Sequence, residues 1–298
     1  MNSTTPPTPA PPALAPTQGR SAQYDAFHAA RARTNLVASL YAQAMGEDYP
    51  AEVGSSSSCD WPLLGLLTAR LRLRPGQLLV DAGCGAGGIG LWLARALAVR
   101  LAGFDLSPVA AAQATARRTD FLGPAAGRAV FHVGELEHTG LPDGSAHGIV
   151  CVDALGSAID RGAALRELGR ILAPGGRLVV TRALRRGAEP AWHEQVAAAG
   201  LTQEHLDERP GEPAMWERLY QLWIAHADPL RRELGQTPAE NMLREAHRML
   251  PKVRGRRAVL LTLRHLPADP AVSAAVDKMD QPDRRAGDRP ASSKETSQ

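Results

Sequence analysis

Val80-Asp81-Ala82-Gly83-Cys84-Gly85-Ala86-Gly87-Gly88 is the stretch that decides the fold of this 298-residue chain. It leaves a short apolar run, Gln77 to Asp81, and opens a longer one, Gly88 to Val99. The first has the length of a buried strand and the second that of a helix. Glycines at such a junction let the backbone turn tightly and let a ligand approach the main chain. Gly83, Gly85 and Gly88 also satisfy the GxGxxG spacing, which by itself fits a dinucleotide as well as any other nucleoside ligand.

Asp81 separates these readings. In a dinucleotide site the pyrophosphate lies against the loop and the following helix N-terminus. A carboxylate there would repel two phosphates. It suits S-adenosylmethionine, which has no phosphate and carries an ammonium and a sulfonium. The plainer role of Asp81 is a loop or helix cap, and one residue could serve both.

Working outward, Asp105 ends the next apolar run, 22 residues after Gly83. That is near the ~20-residue offset of a ribose-binding carboxylate. Leu106 beside it is placed to pack on a base. Capping of a helix at Pro108 is the alternative role, although Ser107 is better placed for it.

The alternation continues. Strands are expected at 77–81, 101–105, 129–133, 148–152, 177–181, 201–208 and 257–264, with helices at 88–99, 108–119, 161–172 and 191–199. Such a rhythm implies an α/β fold with a parallel sheet and helices on both faces. Residues 22–45 show helical spacing, and 61–73 read as an amphipathic helix ended by Pro75-Gly76. Residues 213–249 read as two helices interrupted near Gly235 to Pro238. The expected organisation is a disordered Pro-rich tail 1–20, a helical cap 21–60, a main domain 61–266 with a helical lid 213–252, and a largely disordered tail 267–298.

Composition narrows the partners. Lys plus Arg is 34 and Asp plus Glu is 31, a net charge of +3 without a clustered basic run. No nucleic-acid footprint follows. Cys59, Cys84 and Cys151 form no CxxC pair, and no metal-site spacing is present. No apolar run approaches the ~18 residues of a membrane span, and the N-terminus lacks the features of a secretory signal. A cytoplasmic protein acting on a small molecule is expected, with the oligomeric state left open.

Together these residues resemble a class I S-adenosylmethionine-dependent methyltransferase, from about Leu71 to Leu184. The likeness rests on the Asp81–Gly87 loop, Asp105, Gly134-Glu135, Leu141-Pro142-Asp143-Gly144, Val152-Asp153 and Leu172 to Arg177. Gly90-Leu91-Trp92-Leu93-Ala94 is similar to a helix of bacterial small-molecule methyltransferases. The resemblance implies a Rossmann-like seven-stranded sheet closed at its edge by an antiparallel last strand. It implies cofactor contacts from Asp81, Gly83, Gly85, Gly87, Asp105, Leu106, Glu135 and Leu136. Glu135 stands where Asp is common, so its contact with the adenine amino group can pass to Leu136.

On the acceptor side, Trp216, Tyr220 and Trp223 are spaced to share one helical face. They are either an apolar wall over the acceptor or packing of the lid on the core. A general base is required only if the acceptor must lose a proton early. His138, His193, His226 and Asp153 are the candidates, each with an ordinary surface or packing role as the alternative. The Asn-Pro-Pro-aromatic signature of macromolecular amino-nitrogen methylation is absent; Val152-Asp153-Ala154-Leu155 stands there. The expected function is methyl transfer to an O, N or C nucleophile of a small molecule, possible in natural-product biosynthesis. The alternatives are an NAD(P)-dependent oxidoreductase and a non-catalytic protein that keeps the fold.

Overall fold

The computed structural model describes residues 16–184 and 189–265. The chain begins with helices α1 (Pro16–Arg31), α2 (Leu36–Met45) and α3 (Trp61–Leu71). Then follow β1 (Leu78–Ala82), α4 (Gly88–Ala96), β2 (Arg100–Asp105), α5 (Pro108–Ala116), α6 (Arg118–Leu122), β3 (Ala129–Val133) and β4 (Ala146–Cys151). The second half comprises α7 (Arg161–Ile171), β5 (Leu172–Leu184), α8 (Glu189–Ala198), β6 (Leu201–Glu208), α9 (Glu212–Ala225), α10 (Ala227–Leu234), α11 (Gln236–Val253) and β7 (Arg257–His265).

The seven strands form one sheet in the order β3-β2-β1-β4-β5-β7-β6. The five from β3 to β5 are parallel, and β7 runs antiparallel to both its neighbours. The antiparallel last strand is therefore present, but it sits inside the sheet, and β6 is the edge. The side chains explain the exchange. Ala258 to Leu263 of β7 are buried throughout, whereas β6 is half-exposed along most of its length. A strand apolar on both faces needs a partner on each side, and a polar one tolerates the edge.

Strand periodicity divides the core. Val80, Ile149, Leu178 and Val180 pack with Leu165, Leu168 and Trp192 of α7 and α8. Leu79, Val150 and Val179 pack on the other face with Leu63, Leu67 and Leu91 of α3 and α4. A third cluster contains no strand residue: Val37, Leu40 and Tyr41 of α2 interlock with Leu219, Tyr220 and Trp223 of α9 and with Leu243 and Ala246 of α11. Cap and lid thus share one core.

Four local features differ from expectation. Residues 16–20, placed in the disordered tail, open α1; Ser21 Oγ donates to the Leu106 carbonyl and ties this end of the helix to the sheet. The remaining tail residues lie outside the described ones. The helical stretch 22–45 breaks at Ala32 to Asn35, where Thr34 Oγ1 takes the Leu36 amide at 3.0 Å. The lid has three helices, with an additional break at His226. Strand β5 starts five residues early and carries Gly175 at φ 78° beside a register shift in its pairing with β4.

Candidate active site

The parallel strands reverse their order of connection between β1 and β4, the place where open α/β sheets hold ligands. The glycine loop follows β1 there. Gly83 has φ 74°, and a Cβ on it would lie 2.4 Å from Ala154 Cβ. Only a residue without a side chain lets the loop meet the end of β4. The Gly83 and Cys84 amides both donate to the Phe104 carbonyl at 2.9 Å, which pins the turn to β2.

Asp105 organises the rim. Its Oδ2 accepts from the Gly85 amide at 2.8 Å and its Oδ1 from the Ser107 amide at 2.9 Å. Each oxygen keeps a lone pair for a ligand. A cavity opens here, lined by Gly83, Gly85, Asp105, Leu106, Glu135 and Leu136 among the residues expected at the cofactor. Glu135 is turned inward by a tight bend in which it and His138 exchange both backbone hydrogen bonds.

Two of the expected cofactor residues stand elsewhere. Asp81 is only 3% exposed and does not line the cavity. Its Oδ2 accepts from the Gly90 amide at 3.0 Å. Burial pushes its carboxyl up to about 7, the Gly90 hydrogen bond opposes this, and the Asp105 charge adds to it. Asp81 is therefore the cap of an orphan amide at the start of α4. Gly87 is also outside the cavity wall: at φ 75° it precedes α4, and a Cβ on it would lie 2.7 Å from Ala114 Cβ. Its role is close packing against α5.

This arrangement bears on the dinucleotide alternative. The Gly90 amide is taken by Asp81, and a Cβ on Gly88 would lie 2.0 Å from the Val53 carbonyl oxygen. Gly88 and Ile89 still line the cavity, so the segment before α3 covers the start of α4 only in part.

Across the cavity from Asp105 stands Asp153, just after β4 with φ 56°, a left-handed conformation uncommon for a residue with a side chain. It lines the cavity and is exposed there. Its Oδ2 accepts from the Ser58 amide at 2.6 Å, and its Oδ1 from Ser58 Oγ at 3.2 Å and Thr181 Oγ1 at 2.9 Å. Ser58 is held in turn by buried Arg209, whose Nη1 donates to Ser58 Oγ at 2.9 Å and Nη2 to the Ser58 carbonyl at 2.6 Å. Arg209 also pairs with Glu212, whose carboxyl burial and the nearby Asp153 push up to about 7.

The histidine candidates lie away from this place. His138 forms the bend with Glu135 through its backbone, His193 is exposed on α8, and His226 has Nδ1 2.9 Å from the Leu222 carbonyl at the end of α9. None lines the cavity. Trp216, Tyr220 and Trp223 do share a face, but that face packs on Tyr41, with ring centroids 6.4 Å from Trp216 and 6.3 Å from Trp223. The structure places the trio in the cap–lid core, outside the cavity lining.

The roof comes from α1, part of the expected helical cap, although none of its residues was singled out for the site. Arg20, Tyr24, Phe27, His28 and Arg31 all line the cavity, and their spacing puts them on one helical face. His28 is 8% exposed, and its Nδ1 is buried without a partner among the described residues. Burial lowers its pKa, against the raising influence of Asp105. The periodicity of these five residues was the available signal.

Residues 80–180 match the methyltransferase domain family. The matched segment runs from β1 into β5 and holds the glycine loop, Asp105 and Asp153. The chain is 31% identical over 122 residues to methyltransferase GfsG of Streptomyces halstedii, covering 41% of this chain and 43% of that protein. It is 28% identical over 158 residues to 27-O-demethylrifamycin SV methyltransferase of Amycolatopsis mediterranei, covering 53% and 55%. The chain thus matches about half the length of these relatives. Among solved structures, the [4+2]-cyclase SpnF superposes with a TM-score of 0.66 at 21% identity, covering 86% of this chain and 98% of that chain. At that identity the likeness speaks for the fold.

Proposed function

We propose that this protein transfers a methyl group from S-adenosylmethionine to a nucleophile of a small molecule, in the manner of a natural-product methyltransferase. The observation that carries the reading is one cavity with two unlike walls. Gly83, Gly85, Asp105 and Leu136 stand on the β1–β3 side, and Asp153 stands after β4.

The first wall fits the cofactor. Asp105 retains acceptor capacity for ribose hydroxyls, Leu106 and Leu136 offer apolar faces to the base, and the Gly90 amide, taken by Asp81, is one donor fewer for a phosphate. Bound there, S-adenosylmethionine supplies a methyl group already activated by the sulfonium. The protein's task is then alignment and exclusion of water, which can provide ~7–11 kcal/mol of the barrier. α1 roofs the cavity for that purpose. Asp153 is positioned to hold the acceptor. If that acceptor is a hydroxyl or protonated amine, the carboxylate of Asp153 takes its proton as the new bond to the methyl carbon forms. Ser58 and Thr181 fix the carboxylate for this role.

Two measurements test the proposal. Calorimetry with S-adenosylmethionine and S-adenosylhomocysteine should give binding of both; heat with NADH alone would overturn it. A panel of phenolic, hydroxylated and amine acceptors with radiolabelled cofactor should then yield methylated product.

A further inference from the structure

Helix α11 turns one face to the core and the other to solvent. Met242, Leu243, Ala246 and Val253 are buried in the core that the lid shares with the cap. Arg244, His247, Arg248 and Lys252 are exposed on the other side. Neutral residues separate these cations in the sequence, but helical spacing sets Arg244, Arg248 and Lys252 in one row, a turn apart and ~12 Å long. Residues 244–256 hold five Lys or Arg and one acid, more positive charge than the +3 of the whole chain. That acid, Glu245, leaves the row: it is half-buried and accepts from Tyr220 Oη at 3.1 Å.

The row is not neutralised from within the chain. Other arginines of this region meet carboxylates: Arg231 pairs with Asp228 and Glu240, Arg254 with Glu217, and Arg257 with Glu208. Arg244 instead donates to the neutral Asn241 Oδ1 at 3.0 Å. Arg248 acts on Glu245 without pairing with it, and neither Arg248 nor Lys252 has an ion pair among the described residues. Beside the row a groove opens between α10 and α11. Arg231, Arg244, His247 and Arg248 form its walls, buried Leu243 its floor, and its acid, Glu240, is held by Arg231.

Shape and charge select the occupant. Like charges in a row repel, and an anionic partner relieves them. No aromatic side chain lines the groove to stack a base, and the row has fewer cations than the ~6–10 phosphate contacts of a DNA-binding surface. A helix that lies on a lipid surface presents apolar residues beside its cations, whereas the apolar face of α11 is buried. An acidic helix fits both features. Its carboxylates, one turn apart, match the row, and an apolar side chain between them meets the Leu243 floor.

We infer that the groove between α10 and α11, with its row of cations, docks an acidic helix of a partner protein. α1, which roofs the cavity, packs against both of these lid helices, so a docked partner stands one layer behind the roof. The inference does not rest on the cofactor reading, and its test uses no cofactor.

The test is fluorescence anisotropy on the full chain with a labelled Ala-rich helical peptide of about 20 residues that carries Glu at every fourth position. The same peptide with Gln for Glu is the neutral control. The Glu peptide is expected to bind at least about tenfold tighter than the Gln peptide at ~50 mM salt, and to weaken as salt rises to ~200 mM. Arg244→Gln, Arg248→Gln and Lys252→Gln together should cost about tenfold in Glu-peptide affinity. Arg33→Gln, Arg161→Gln and Arg166→Gln, at positions exposed elsewhere on the chain, remove the same net charge and should together cost less than about twofold. Arg248→Gln alone, with an expected loss of about threefold, serves if the first triple variant fails to fold. Equal losses in the two triple variants would reduce the effect to overall charge, and equal affinity for the Glu and Gln peptides would remove it; either overturns the inference. So would tighter binding, dependent on the same three cations, of a single-stranded oligonucleotide or of phosphatidylserine vesicles at the same salt, because the face would then serve a nucleic acid or a membrane.

Discussion

Asp81 caps Gly90: the carboxylate one residue before the end of β1 lies under the glycine loop and takes the third amide of α4 at 3.0 Å. The pair joins strand, loop and helix, and it sets a pH dependence. The Asp81 carboxyl is pushed up to about 7 in the folded chain, mainly by burial, against ~3.9 when unfolded. A raised folded value means that its contribution to stability is full below pH ~3.9 and is lost as pH rises through about 7. Asp81→Asn keeps an acceptor for Gly90 and removes the titration. Its melting temperature relative to wild type should therefore climb between pH 5 and 8. Asp81→Ala also removes the titration but leaves the Gly90 amide unpaired, and should be less stable than Asp81→Asn by ~1–3 kcal/mol in urea denaturation at any pH. Loss of negative charge beneath the loop should also weaken S-adenosylmethionine more than its uncharged-sulfur product.

The glycines divide by what they touch. Gly83→Ala drives a Cβ into Ala154, and Gly87→Ala into Ala114, each from a left-handed backbone. Both should be destabilised by ~1–3 kcal/mol in chemical denaturation. Since Gly83 lines the cavity and Gly87 does not, Gly83→Ala should also lose cofactor affinity in calorimetry. Equal affinity losses in the two variants would show that the cavity wall is drawn wrongly.

Much of the parallel half of the sheet was legible because its determinants are local. Alternating apolar runs gave β1 to β4, and Asp105 announced itself by its offset from Gly83. What escaped was tertiary. The insertion of β7 between β5 and β6 depends on which strand is apolar on both faces, a comparison across 50 residues. Asp81 was visible as a residue, but its direction was not: a side chain at the last turn of a strand faces either ligand or helix, and the orphan Gly90 amide decided it. Trp216, Tyr220 and Trp223 formed the predicted stripe, yet a stripe does not name its partner, which is Tyr41. The N-terminal cap was legible as a helical segment over the site, but its lining residues, from Arg20 to Arg31, were not, because they are of mixed chemistry and fit no motif.

The aromatic trio leads to a third expectation. Trp223 is 5% exposed and packs on Tyr41 and Tyr220. Trp223→Ala should cost ~3–5 kcal/mol, read as a lower urea midpoint. Tyr220→Phe removes only the hydroxyl that donates to Glu245 at 3.1 Å, and should cost ~0.5–1.5 kcal/mol. Neither side chain lines the cavity, so Tyr220→Phe should leave cofactor affinity within about twofold. A tenfold loss would mean that the trio meets the ligand after all.

The last expectation concerns how Asp153 is held. Its carboxylate is fixed by Ser58 and Thr181, and Ser58 is fixed by Arg209, which is buried against Glu212. Asp153→Asn conserves shape and removes the negative charge. If Asp153 takes the acceptor's proton, kcat should fall by ~10²–10⁴, while S-adenosylhomocysteine affinity stays within about twofold. Arg209 acts one step further away. Arg209→Met breaks a buried ion pair and should cost ~3–5 kcal/mol. Under conditions where it remains folded, its kcat should drop by less than that of Asp153→Asn, because the carboxylate persists but loses its orientation. An equal loss in the two variants would make Arg209 part of the proton path, whereas unchanged kcat in Asp153→Asn would confine the residue to binding and leave methyl transfer to an acceptor that needs no base.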